Sequence, residues 1–162
     1  LADADVDRYV DDLGRTLGEE MLEPTRIYAL DVLDLARADD VEVHAFSHVT
    51  GGGLAANLAR VLPADLAVDV DRGTWRPPAI FGLIARSVEP AEMERTFNQG
   101  IGMLAIVDAG SATSAVRRLE SRGVPAWVAG AIRPRRDAET GDAPAKGGDG
   151  GAVRLVGAHA AG

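Results

Sequence analysis

The sequence predicts a layered α/β or α+β domain, a sheet with helices packed against it, and three observations lead there. Apolar residues make up 46% and charged residues 26%, an ordinary globular balance that excludes wholesale disorder. Segments of strand-like alternation are separated by segments of helical periodicity. The 162 residues suffice for one domain, or two very small ones, and a chain of this size buries roughly 70% of its unfolded surface. Only 4% of the residues are aromatic, so the core has to come from Ala, Val, Leu and Ile. Strand pairing is not legible, and parallel and antiparallel arrangements both stay open.

The elements follow in order. Residues 1–22 are acidic and poorly patterned and read as a linker or edge segment ahead of a domain over 23–162. Thr25 is a good N-cap type, and Ile27, Leu30 and Leu33 then share a face opposite Asp31 and Asp34, which predicts a helix to about Ala38. Residues 41–49 alternate as a strand, with Val41, Val43, Ala45, Ser47 and Val49 on one face and His44, Phe46 and His48 on the other. Thr50-Gly51-Gly52-Gly53 breaks it and opens a short helix carrying Leu54, Leu58 and Val61. Leu66, Val68 and Val70 mark a half-buried strand. Pro77-Pro78 and Pro90 begin two helices, the first with Ile80, Phe81 and Ile84 inward. The apolar run 101–107 predicts a strand covered on both faces. Ala112, Val116 and Leu119 give a helix closed by Gly123, and 126–132 a further apolar strand. Residues 133–150 hold almost nothing to bury and read as a mobile insertion loop before a short edge strand at 153–156.

Composition narrows the function classes. With no cysteine, the chain has no disulfide, thiolate metal site or cysteine nucleophile. Residues 1–40 hold twelve acids and four arginines, so the whole net charge of −8 sits there. A pI near 4.8 argues against nucleic-acid partners, and no apolar run reaches the ~20 residues of a membrane helix. A cytoplasmic protein without a membrane partner is the expectation. Lys146 is the only lysine beside sixteen arginines and reads as codon bias. The chain begins at Leu1 and not Met, as a processed protein or a piece of a longer one does.

Few residues carry chemistry. A strand–Thr50-Gly51-Gly52-Gly53–helix junction lets backbone approach a ligand closely, and helix N–H groups suit a phosphate; a tight turn needing positive φ is the plain alternative. No Gly-Lys-Ser/Thr follows, so it is not a Walker loop. His44 and His48 lie some 13 Å apart along a strand at about 3.3 Å per residue, too far to share a metal, and no metal set is read. His48 reaches a ligand or packs; His44 packs. Phe97-Asn98-Gln99-Gly100-Ile101-Gly102 is a ligand contact or an ordinary turn into a strand. No catalytic acid, base or nucleophile is assigned.

Taken together, Glu23-Pro24-Thr25-Arg26-Ile27-Tyr28, His44-Ala45-Phe46-Ser47-His48-Val49-Thr50-Gly51-Gly52-Gly53-Leu54, Asn57, Arg60-Val61-Leu62-Pro63, Asp71-Arg72-Gly73-Thr74-Trp75, the Phe97 block with Met103, and Ala126-Trp127-Val128-Ala129-Gly130-Ala131-Ile132 form an ordered series. Over about Leu13 to Ile132 it resembles the C-terminal domain of the aminoimidazole ribonucleotide synthetase family, the phosphoribosylformylglycinamidine cyclo-ligases of purine biosynthesis. The resemblance implies a partly ferredoxin-like domain on the substrate side of a two-domain homodimeric enzyme. It implies ATP-dependent ring closure of formylglycinamidine ribonucleotide, with ATP and Mg2+ mostly held by an N-terminal domain absent from this chain. The isolated chain is then inactive, and apolar surface is exposed where that domain packs. It also implies that Thr50, Gly51, Gly52 and Gly53 bind the substrate phosphate and that His48, Asn98 and Gly100 line the cleft. The rivals are a sibling ATP-using domain, of thiamin-monophosphate kinase, selenophosphate synthetase or formylglycinamidine ribonucleotide synthase type, and a non-catalytic phosphate-binding module.

Overall fold

The computed structural model describes residues 5–159; the start at Leu1 and the end of the 23–162 segment lie outside the described residues. The elements are β1 (Tyr9–Val10), β2 (Arg15–Thr16), α1 (Leu17–Met21), α2 (Ala29–Ala36), β3 (Val43–His48), α3 (Gly53–Ala59), β4 (Leu66–Asp71), α4 (Ala79–Ile84), α5 (Pro90–Thr96), β5 (Met103–Val107), α6 (Ala112–Ser121), β6 (Gly130–Pro134) and β7 (Ala152–Val156). It is a mixed α/β fold whose ladders form three small sheets. β1 pairs with β2, β3 pairs antiparallel with β5, and β4 lies between antiparallel β6 and parallel β7.

Residues 5–22 are better specified than their acidity suggests. Thr16 accepts from Glu19 N at 3.2 Å while the Glu19 carboxylate accepts from Thr16 N at 2.8 Å, a capping box that starts α1. The Thr16-x-x-Glu19 spacing is its sequence signal.

Two predicted elements are inverted or displaced. α2 starts at Ala29 with Tyr28 at its N-cap and no side-chain cap, so Thr25 does not cap it. Its inner face carries Asp31 and Leu35, whereas Ile27, Leu30 and Leu33 are 83%, 71% and 43% exposed. The cause is α6, which brings Arg122 within 2.8 Å of Asp31 and Arg118 within 2.8 Å of Asp34. An acid meeting an arginine on the inner side turns the helix by half a revolution relative to its hydrophobic pattern. Likewise β5 is only half-buried: Leu104 and Ile106 pack on one core cluster and Val107 on the other, but with β3 as its one ladder partner the strand is left partly open to solvent. The 126–132 run becomes strand only from Gly130, with Trp127, Val128 and Ile132 exposed.

The main core gathers Val49, Leu54, Leu58, Val68, Trp75 and Val153 around α3, all seven of whose residues are buried. α3 packs against β3, α5 and β7, and its small residues (Gly53, Ala55, Ala56, Ala59) allow that close approach. α6 ends as predicted, with Gly123 N donating to Glu120 O and Val124 N to Leu119 O. β7 is the expected short edge strand, parallel to β4.

The segment 133–150 is tied down at several points. Arg133 begins it inside β6, Asp142 N donates to Val153 O, and Ala143 and Ala145 pack on the main core. Glu139 grips the Arg133 guanidinium through both carboxylate oxygens and accepts from Arg136 N at 3.0 Å. The Arg133 hydrogen bonds, then the Arg136 N–H, hold the Glu139 carboxyl down at about 2, below the usual 4.5. A folded value below the unfolded one means the latch contributes fully above pH 4.5 and fades as pH falls toward 2. An NMR titration of the Glu139 carboxyl should therefore show a midpoint near 2. A midpoint at the usual value of 4.5 would mean that the latch does not form.

Candidate functional site

The glycine junction is built around one buried carboxamide. Gly52 occupies the α3 N-cap at φ 102° and Gly53 follows at φ 71°, both left-handed. A Cβ on Gly53 would overlap the Glu94 carbonyl oxygen of α5 and stand 3.0 Å from its carbonyl carbon. Gly53 is therefore required by packing. Gly51 differs: nothing lies within 4 Å of where its Cβ would stand.

One turn into α3, fully buried Asn57 donates through Nδ2 to Gly53 O at 2.7 Å, Thr50 O at 3.2 Å and Gly51 O at 3.4 Å. Across a trans peptide, a carbonyl and the following N–H point in opposite directions. Drawing the Thr50 and Gly51 carbonyls toward Asn57 aims the Gly51 and Gly52 N–H groups away from it. Successive N–H groups turned out of one bend form a concavity suited to an anion. Lys146 closes the arrangement from the 133–150 segment, with Nζ donating to Gly51 O at 2.8 Å.

The other predicted residues sit at varied distances from this loop. His48 ends β3, is exposed, and has its ring 6.2 Å from the Tyr28 ring in an edge arrangement. His44 is exposed where the β3–β5 register shifts, so it does not pack as expected. Asn98 accepts from Gly100 N at 3.0 Å, and Gln99 O accepts from Trp75 Nε1 at 3.1 Å. The Asn98-Gln99-Gly100 turn is thus fastened to Trp75, and its nearest backbone link to the glycine loop is Val49 N to Gly102 O at 3.0 Å. The structure brings His48 and Thr50 to the same strand end. No hydrogen bond among the described residues joins Asn98 to the loop.

Asp71-Arg72-Gly73-Thr74-Trp75 is a structural node. Asp71 accepts from Gly73 N, and Arg72 holds Glu94 of α5 at 2.6 and 2.8 Å while donating to Leu155 O. The Glu94 hydrogen bonds raise the Arg72 pKa above its ordinary value. Because the same Glu94 backbone crowds Gly53, this node sets where α5 stands against the loop. Among the described residues no three His, Asp or Glu side chains converge as a cation set.

The family described as AIR synthase related protein, C-terminal domain, matches residues 2–142. The chain belongs to that family. Among its relatives, a phosphoribosylformylglycinamidine cyclo-ligase from Anaeromyxobacter sp. (strain Fw109-5) is 50% identical over 130 residues, which are 78% of this chain and 37% of that protein. One of the same name from Pseudothermotoga lettingae is 44% identical over 131 residues, 80% of this chain and 38% of the relative. A Streptomyces fradiae protein, provisionally given the same name, is 56% identical over 132 residues, 80% of this chain and 71% of its own length. The chain thus spans little over a third of the first two relatives. In this AIR synthase related domain, the contacts of three residues at the loop were not read from the sequence, although Asn57 and Arg72 stand in its ordered series of motifs. Asn57 had a signal, a lone amide in an apolar helix four residues after Gly53. Arg72 and Lys146 had none, since their partners lie 22 and 95 residues away.

Proposed function

We propose that this chain is the substrate-side, C-terminal domain of a phosphoribosylformylglycinamidine cyclo-ligase, acting in de novo purine biosynthesis in the cytoplasm. The complete enzyme would close formylglycinamidine ribonucleotide to aminoimidazole ribonucleotide, with ATP giving ADP and phosphate. The observation that carries the reading is the glycine loop itself, intact in a chain whose relatives bear that name. Its outward Gly51 and Gly52 N–H groups would take the substrate 5′-phosphate, beside the Thr50 hydroxyl and the α3 N-terminus at Gly53, with His48, Asn98 and Gly100 as cleft walls.

ATP and Mg2+ are assigned elsewhere. No convergent carboxylate set exists among the described residues and no Walker lysine follows the glycines, so this chain's side chains do not suit a magnesium nucleotide. The reading gives both to the N-terminal domain of the same protein and expects the whole to be a homodimer. Energetics support a covering partner. Leaving Ile27 and Leu30 mostly in water forgoes about 1.5–3 kcal/mol for each, and the 43% exposed Leu33 less, while part-exposed ion pairs such as Arg118–Asp34 return about 1 kcal/mol at most. An α2 turned acid-side-in makes sense where another domain covers the apolar side.

The test is ADP release by the complete protein with formylglycinamidine ribonucleotide as the only varied substrate. Substrate-dependent release with aminoimidazole ribonucleotide as product is expected, and no turnover from residues 1–162 alone. ADP release driven instead by thiamin monophosphate, or AMP release driven by selenide, would move the chain to a sibling enzyme.

A further inference from the structure

The peptide between Gly51 and Gly52 is the unit of the glycine loop that Lys146 touches. No heavy atom lies within 4 Å of where a Gly51 Cβ would stand, Gly52 is at φ 102°, and the bond to Gly51 O is the longest of the three that Asn57 Nδ2 donates, at 3.4 Å. A glycine–glycine peptide flips readily, and flipping it would reverse the Gly52 N–H. What opposes the flip is Lys146, whose ammonium donates to Gly51 O at 2.8 Å. Its backbone is fastened to α3. Lys146 N donates to Ala56 O at 3.1 Å, and Gly151 N donates to Ala59 O and Leu62 O. A Cβ on Gly150 would overlap Ala59 O, so the segment touches the α3 backbone closely at Lys146 and again at Gly150 and Gly151.

We propose that Lys146 is a positioning residue for the glycine loop: by holding the Gly51 carbonyl it keeps the Gly52 N–H turned outward toward a phosphate monoester. The insertion that carries it therefore belongs to the site. The sequence reading of Lys146 as codon bias accounts for its rarity and not for its place. The link to phosphate rests on the cyclo-ligase reading above; the effect on the loop does not.

The test compares Lys146→Met, Lys146→Arg and the wild type as complete proteins, in two measurements. The first is amide exchange of residues 51–56 without ligand, expected to speed up about tenfold in the methionine variant, as when a bond of about 1.4 kcal/mol is lost, and to return with arginine. The second is steady-state kinetics with formylglycinamidine ribonucleotide, where KM should rise about tenfold with kcat within about twofold. Unchanged exchange in Lys146→Met overturns the proposal whatever the kinetics show. Faster exchange with kcat lowered and KM unchanged also overturns it, because the loop would then not govern substrate binding. If the wild type ignores this ribonucleotide, the cyclo-ligase reading fails, and the exchange measurement with inorganic phosphate added decides alone. Protection of the loop by phosphate in the wild type and not in Lys146→Met upholds the positioning role, and equal protection in both overturns it.

Discussion

Gly53→Ala should lower the melting temperature by about 10 °C, corresponding to a loss of about 3 kcal/mol or more. Two costs add. An alanine at φ 71° is strained, and its methyl would overlap the Glu94 carbonyl, which is backbone and has no rotamer to give way. α5 would have to move, and Arg72, which fixes Glu94 on the other side, resists that. Gly51→Ala is the informative contrast. Its Cβ enters open space, so the melting temperature should stay within about 2 °C. That open space is where the proposed phosphate approaches, so KM for the ribonucleotide should rise in Gly51→Ala. Paired melting curves suffice for the structural half: equal losses in the two variants would refute the distinction between a packing glycine and a ligand-facing one.

Asn57→Asp is expected to be nearly as damaging and to reveal itself through pH. The substitution keeps size and shape but replaces a donor by an acceptor where the Gly53, Thr50 and Gly51 carbonyls converge. A buried carboxylate facing three carbonyl oxygens is disfavoured, so it stays protonated in the folded state, with its pKa above the unfolded value of about 3.9. Above that unfolded value the folded state binds the extra proton, so stability falls as pH rises. Chemical denaturation should therefore find a deficit of about 2–4 kcal/mol at pH 7 that shrinks toward pH 4. The wild type should not share that trend. A pH-independent deficit would mean that Asn57 contributes volume and not its N–H donors.

How much of this was legible beforehand depended on where each residue's partner lay. Pro90 starting α5, Gly123 closing α6 and the break after β3 are local matters of dihedral preference and capping, and they stand where the sequence placed them. The glycine loop was legible as a loop, and its likeness to a phosphate site came from the ordered series of motifs. Which glycine serves packing and which faces open space was not legible, because Glu94 lies about forty residues away and reaches Gly53 only once α5 has docked on α3.

The chain's own order of residues determined the succession of helices and strands, the cysteine-free aliphatic core, the acidic first quarter and the family. Tertiary structure alone decided three things. It turned α2 by half a revolution, because Asp31 and Asp34 met arginines contributed by α6. It divided the strands among three sheets, because pairing is chosen between surfaces that sequence order does not rank. And it carried Lys146 across 95 residues to the Gly51 carbonyl. Side-chain periodicity reports which residues avoid water, a property of each segment alone. Which atom meets which depends on how segments dock, and there a single ion pair or hydrogen bond selects among faces of similar hydrophobicity.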